Sequence, residues 1–410
     1  MRRRQFFNAL GLGTAAIEAL RFGAGPWVSL AVQAGANPDQ AAGIPLDFTL
    51  NATPAVSVNL GGQWQILRDP ENTGKSGRWF EGAPAGGATP AEVPNPLELT
   101  YPGYDGVVWY WRTFDAGDLP HYDDIRVHFQ GADYFVEAWL NGQYLGGNES
   151  ALLPFAFAIK QALQPGANRL VVRAIDASYS KEIDGFQLGH VPGGRQADDP
   201  LQRGWRHYNY GGLLLPVSIE AFRRPWIGDG FIRPDIKESK IDIDLTVVGD
   251  GPAEWVAEIR PVYPQSGNAV VHKTVSIVPD TNGRAHLTLP LLSAHLWKIW
   301  DSFLYEVKLS PHEGAGTIWQ QRFGMREISI LNGRIAVNGE QILQRSFLYN
   351  QIWPVTLGVP YRDLARRDIE MARRVNANML RCFSKTPVPA TVEAADEVGI
   401  LACALPASSR

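Results

Sequence analysis

Between residues 45 and 323, apolar and polar side chains alternate with a period of two in one short segment after another. The clearest is 134–140. Tyr134, Val136, Ala138 and Leu140 fall on one side of it; Phe135, Glu137 and Trp139 fall on the other. Period two is the spacing of a β-strand, because successive side chains leave opposite faces. Asn141-Gly142 comes next, two residues that tolerate positive φ and close a tight hairpin. Residues 168–176 predict another strand, with Leu170, Val172 and Ala174 alternating with Val171, Arg173 and Ile175. Residues 106–114 predict a third from their β-branched and aromatic content. Short strands divided by Gly/Pro turns over residues 45–223 predict a β-sandwich. Residues 224–323 predict a second. There Ile241, Ile243, Leu245 and Val247 alternate with Asp242, Asp244 and Thr246, and 285–291 and 303–310 repeat the pattern.

After Phe323 the period lengthens. Over 361–380, Leu364, Ile369, Met371 and Val375 recur among charges and predict the apolar face of an amphipathic helix. Asp363, Asp368 and the arginines at 362, 366, 367, 373 and 374 read as its solvated side. Residues 379–383 predict a strand. Pro389 opens a second helix, Gly399 permits its terminal turn, and 400–405 predict a buried strand. Strand, helix, strand, helix, strand is the start of a parallel sheet covered by helices.

Composition narrows the functional classes. The chain has 410 residues, 45% hydrophobic and 20% charged, enough to bury several cores. A net charge of -4 argues against a nucleic-acid partner. Arg2, Arg3 and Arg4 precede Phe6 and Phe7, and small residues occur near Ala34 and Ala36. Residues 1–36 thus read as a twin-arginine-like export segment, although Glu18 and Arg21 interrupt its apolar stretch. The expected location is periplasmic or extracellular. No apolar run is long enough to span a membrane after removal of that segment. Cys382 and Cys403 fall on adjacent predicted strands; one bridge is conceivable, and two buried free thiols are the preferred reading. The eight histidines show no metal-ligand spacing, so neither a metal nor a cofactor is expected.

Several motifs stand in one order along the chain: GGQWQILRD, VVWYWRTF, VHFQGADYFVEAWLNGQYLGGNESALLPFAFAI, LQPGANRLVVRAID and YNYGGLLLPVSI. Together they resemble the N-terminal jelly-roll domain of glycoside hydrolase family 2, the family of β-galactosidases, β-glucuronidases and β-mannosidases. Leu296, Trp297, Leu304 and Tyr305 resemble the segment that closes the family's immunoglobulin-like sandwich, though both prolines of that pattern are absent. Phe323, Gly324 and Arg326 resemble the phrase leading into the catalytic barrel. Asn338, Gly339 and Arg345 match its first strand, with Ser346 in place of a glycine. Asn378, Arg381, Asp396 and Gly399 match the family's second barrel strand and the helix and turn after it. The resemblance implies a multidomain, mainly β chain: a jelly-roll β-sandwich of sugar-binding type at 45–223, an immunoglobulin-like β-sandwich at 224–323, and the first strands and helices of an incomplete (β/α)8 TIM barrel at 324–410.

The resemblance also implies hydrolysis of O-glycosidic bonds by a retaining mechanism that uses two glutamates. Both are expected beyond residue 410, so no catalytic residue is assigned within this chain. Asn148-Glu149 is the only Asn-Glu pair, and it reads as part of a turn-rich loop. Asp396 and Glu397 read as capping or solvating the second helix. The substrate-binding candidates are Arg381, which ends the second barrel strand, Asn350 after the first, Ser384 where β-galactosidase-like members carry a histidine, and Asn209. Asn209 and Tyr210 belong to a jelly-roll segment that reaches the active site in some members; Gly211 and Gly212 read as a tight bend. Ala404 stands where many members have glutamate. A carbohydrate is the expected partner, with galactosyl, glucuronosyl and mannosyl groups all open, as is the oligomeric state. The alternative is a complete, non-catalytic carbohydrate-binding or structural β-sandwich protein. It is disfavoured because three parallel strands alone leave an unpaired edge.

Overall fold

The computed structural model describes residues 52–84, 86–149, 152–176, 182–186, 210–249, 253–313, 316–350, 353, 362–382 and 387–404. All belong to one compact unit. Residues 1–36, expected to be an export segment, and the candidates Asn209 and Ser384 lie outside the described residues.

The first sandwich packs two antiparallel sheets. One orders β1 (Val56–Asn59), β10 (Val217–Phe222), β5 (Asp124–Phe129) and β8 (Phe155–Ala158). The other orders β3 (Thr89–Val93), β2 (Gly62–Arg68), β4 (Gly106–Asp115), β9 (Ala167–Asp176), β6 (Phe135–Leu140) and β7 (Gln143–Glu149). Val136, Ala138 and Leu140 point between the sheets with Val108, Val127, Leu170, Val172 and Ile219, all fully buried. Burying such a side chain contributes about 1.5–3 kcal/mol. The expected hairpin joins β6 to β7, with Asn141 at φ 52° and Gly142 at φ 83°. Asn148 and Glu149 are the last two residues of β7 rather than a loop, and Glu149 accepts a hydrogen bond from the Tyr134 hydroxyl.

The outer face of the six-stranded sheet is covered as well. Trp109, Trp111 and Trp139 stack there under Trp79 and Phe80. This explains why the second register of β6 is aromatic where a solvated face would be polar. Arg173 lies fully buried in that layer. It donates to Glu137 at 2.7 Å, to Asp184 at 2.6 Å and to Asn72 at 2.6 Å, so the charge is balanced.

In the second sandwich one sheet holds β11 (Trp226–Asp235), β12 (Lys240–Val248) and β15 (Arg284–Pro290). The other orders β14 (Val271–Ile277), β13 (Ala253–Tyr263), β16 (Leu304–Pro311) and β17 (Trp319–Phe323). Ile241, Ile243, Leu245 and Val247 point inward, as their alternation predicts. Leu304 and Tyr305 are buried, as expected of core residues, and so is Trp297. Arg224 joins the two sandwiches: its guanidinium grips Asp124 with two contacts of 2.8 Å, and Trp226 Nε1 donates to the same carboxylate at 2.8 Å.

A small sheet of β18 (Ile328–Leu331), β19 (Arg334–Val337) and β20 (Glu340–Gln341) leads into three parallel strands. These are β21 (Ser346–Tyr349), β22 (Met379–Cys382) and β23 (Leu401–Ala404). Helices α1 (Arg362–Arg374) and α2 (Pro389–Val398) cover one of their faces. Pro389 opens α2, and Gly399 closes it at φ 79°. A Cβ at Gly399 would stand 2.5 Å from the Trp300 amide nitrogen, so that turn needs glycine for space as well as for conformation.

Three expectations change here. The buried face of α1 is Ala365, Ile369 and Ala372, spaced i, i+4, i+7, with Leu364 half-buried. Met371 and Val375 lie off that stripe and are 54% and 75% exposed. Small residues let the helix sit close to the sheet, and the larger side chains turn outward. Cys403 is exposed rather than buried, and Cys382 is buried. Cys403 sits beside Arg381 and Cys382 beside Ala404, so the two cysteines lie on opposite faces as free thiols.

Asp396 and Glu397 do not merely solvate their helix. The end of α2 lies against the second sandwich, where the carboxylates meet cations. Glu397, 8% exposed, pairs with Arg322 of β17 at 2.8 Å and with Arg366 of α1. Asp396 pairs with Arg326 at 3.1 Å. Trp297 Nε1 donates to the Asp396 carbonyl at 2.8 Å, and the Trp300 amide to the Gly399 carbonyl at 2.9 Å.

Candidate functional site

In parallel sheets covered by helices, binding groups gather at the carboxyl ends of the strands. The register sorts the side chains at that end into two sets. Tyr349 and Cys382 are laterally paired and face the helices, inside the core. Leu348, Arg381 and Cys403 are paired on the opposite face, where Leu348 is 40% exposed and Arg381 and Cys403 are also exposed. Arg381 is therefore presented as an exposed guanidinium one residue from the end of β22, where the sequence reading put it. Asn350 comes directly after Tyr349 and is exposed too. The matched asparagines behave differently. Asn378, buried, receives the Arg345 amide at 2.8 Å and donates to the Leu343 carbonyl at 2.8 Å, which ties β22 to the approach of β21. Asn338 receives the Glu327 amide and donates to the Trp297 carbonyl.

A segment of the first sandwich arrives at the same end. Tyr210, Leu214 and Leu215 pack with Leu152 against Val388 and Ala390, at the start of α2. Backbone pairing fixes this segment from both sides: Leu97 and Asn95 donate to Gly211 and Leu213, while Asp133 and Gly212 exchange hydrogen bonds. The two glycines serve close approach more than a bend. A Cβ on Gly211 would stand 2.6 Å from Asp176 Cγ, and one on Gly212, at φ 94°, would stand 2.3 Å from the Tyr110 hydroxyl. The Gly211 amide donates to Glu98 at 3.1 Å. Burial raises the Tyr110 hydroxyl well above the ordinary tyrosine range, and the Glu98 charge adds to it. Tyr110 thus stays neutral beneath the segment.

Sequence reading missed the group behind Asn350. Tyr349 donates to Asp368 Oδ2 at 3.2 Å and Trp353 Nε1 donates to the same oxygen at 2.9 Å. Asp368 had read as part of a solvated face, and nothing in helical spacing distinguishes it from Asp363. Burial, then the nearby Asp368 charge, raises the Tyr349 hydroxyl. Burial also pushes the Cys382 thiol up to about 11, with Cys403 adding to the effect, so Cys382 is a protonated core residue rather than a nucleophile. Among the described residues, no three His, Cys, Asp or Glu side chains converge as metal ligands, and no helix is long and apolar enough to cross a membrane.

The model of the sugar binding domain of glycosyl hydrolases family 2 matches residues 58–191, most of the first sandwich. A β-galactosidase of Enterobacter cloacae is 24% identical over 311 residues, covering 71% of this chain and 28% of its own. A β-glucuronidase of Paenibacillus borealis is 22% identical over 361 residues, covering 84% of this chain and 57% of its own. Among solved structures, the β-glucuronidase from Ruminococcus gnavus in complex with D-glucuronic acid superposes with a TM-score of 0.69 at 19% identity, over 87% of this chain and 61% of that one. This chain therefore spans between 28% and 61% of the length of these relatives. Residues 58–191 thus match the sugar binding domain of glycosyl hydrolases family 2, and the chain as a whole is similar to β-galactosidases and β-glucuronidases.

Proposed function

We propose that this chain supplies the sugar-recognising part of an exported glycoside hydrolase. The reaction class is hydrolysis of an O-glycosidic bond with retention, which uses two carboxylates about 5–5.5 Å apart as acid/base and nucleophile. Neither role is assigned to a residue of this chain. On this reading β21, β22 and β23 are the first strands of a (β/α)8 barrel, the first sandwich is a jelly roll and the second is immunoglobulin-like.

The observation that carries the reading is the packing of Tyr210 and Leu214 on Val388. It supports a site shared between the family's sugar binding domain and the carboxyl ends of the parallel strands. Arg381 and Asn350 are the described polar groups there; Arg381 offers a planar cation to a sugar carboxylate or hydroxyl pair, and Asn350 offers both a donor and an acceptor. The relatives include both galactosidases and glucuronidases, and an exposed arginine favours the uronate.

Ligand-observed NMR tests this directly. Methyl β-D-glucuronide and methyl β-D-galactoside are titrated into the 410-residue chain and its Arg381→Ala variant. Saturable binding of the glucuronide that weakens in the variant supports the reading. Failure of both glycosides to bind, or binding indifferent to Arg381, overturns it. Nitrophenyl glycosides should not be turned over by this chain alone.

A further inference from the structure

Asp368 has no capping role to explain it: it lies in the middle of α1, where aspartate is a poor helix former. Its side chain is nonetheless committed. One oxygen, Oδ2, accepts from both Tyr349 at 3.2 Å and Trp353 at 2.9 Å. Both donors are buried, at 7% and 5% exposure, and their rings meet edge to face with centroids 6.3 Å apart. Thr391 of α2 adds a side-chain hydrogen bond to the Tyr349 hydroxyl. Tyr349 and Trp353 are four positions apart in the chain, and the exposed Asn350 lies between them.

We propose that Asp368 is a positioning residue: it ties down Tyr349 and Trp353 together and thereby fixes Asn350 at the carboxyl end of the first parallel strand. The inference rests on the reading of that end as the sugar site. A residue held between two buried anchors on one carboxylate keeps a narrow range of directions, so a ligand need not order it on binding. Asp368 itself stays behind the sheet and touches no ligand.

The experiment compares Asp368→Ala, Asp368→Asn and Asn350→Ala in the 410-residue chain. Hydrogen exchange is followed on the peptide containing Tyr349 and Trp353 and on the peptide of α1. Binding of methyl β-D-glucuronide is followed by NMR. Asp368→Ala should speed exchange of the first peptide about tenfold while α1 keeps its wild-type rates. It should also weaken glycoside binding about as much as Asn350→Ala does. Asp368→Asn, which keeps an acceptor oxygen, should restore both. Wild-type exchange in Asp368→Ala, or fast exchange with undiminished binding, overturns the positioning role. Equal loosening of α1 and the first peptide also overturns it, because Asp368 would then merely stabilise its helix. A wild-type chain that binds no glycoside sinks the sugar-site reading instead, and the exchange data still decide whether Asp368 ties its two partners.

Discussion

Replacing Glu397 with alanine tests how the parallel-strand layer is held to the second sandwich. Glu397 accepts from Arg322 at 2.8 Å and from Arg366, so it joins β17, α1 and α2 at one point. Burial alone would raise its pKa. The hydrogen bonds and charges of Arg322 and Arg366 outweigh that effect and hold the carboxyl below its usual value of 4.5. Breaking a fully buried ion pair by removing one partner costs about 3–5 kcal/mol. Here the side chains left behind, Arg322 and Arg366, are 33% and 39% exposed and can rehydrate, which lowers the expected cost to about 2 kcal/mol. For a chain this size, that is a fall in melting temperature of roughly 2–3 °C. The sign of the pH dependence comes from the lowered pKa. The ionised carboxylate stabilises the fold above the unfolded value, and that stabilisation disappears as pH falls through the lower folded value. The gap between wild type and Glu397→Gln should therefore be full at pH 7 and close progressively below about pH 4.5, the ordinary carboxyl value. Thermal melts at pH 7, 5 and 3.5 measure it. A Glu397→Ala variant within about 0.5 kcal/mol of wild type at pH 7, or a gap that widens in acid, would refute the reasoning.

Gly212→Ala should destabilise the first sandwich by at least about 2 kcal/mol, because a methyl group 2.3 Å from the Tyr110 hydroxyl must displace backbone at a positive φ; urea denaturation reads this out, and a change below about 0.5 kcal/mol counts against the close fit. Arg173→Met should cost about 3–5 kcal/mol, since it leaves Glu137 buried with only Lys75 to pair with. Adding Glu137→Gln should recover part of that loss in the same denaturation assay, and a double variant no better than the single one counts against the charge argument. With a thiol reagent at pH 8, Cys403 should react at once and Cys382 only after denaturation, because Cys382 is buried and its thiol is pushed up to about 11. Rapid modification of both would contradict the register of β22 and β23.

Much of the architecture was legible because strands report their own period. The alternation at 241–247 places the buried side chains correctly without any knowledge of the partner sheet. The second face of β6 was harder. Phe135 and Trp139 alternate with core residues yet are covered too, because Phe80 stacks on Trp139 and Phe186 on Phe135, both from other parts of the chain. Period two shows which side chains share a face and is silent on what lies over it. In α1 the failure was one of size. Met371 and Val375 are more hydrophobic than Ala365 and Ala372, but the stripe turned to the sheet runs through Ala365, Ile369 and Ala372 and leaves the larger side chains outward.

The candidate site divides along the same line. Arg381 could be placed from its own strand, since strand order and direction fix which end it occupies and which face it takes. Asp368 could not, because what distinguishes it is the arrival of Tyr349 and Trp353 from another element, and the charges around it look alike in the sequence. Glycine shows the difference most clearly. Gly399 and Gly212 are both readable as turn residues, and both have positive φ. Each is also pressed against a distant part of the fold, Trp300 for one and Tyr110 for the other. An aspartate or asparagine could tolerate the backbone angle alone. Only the absence of a side chain meets both demands, so the stricter requirement at each position comes from tertiary contact, which local sequence does not record.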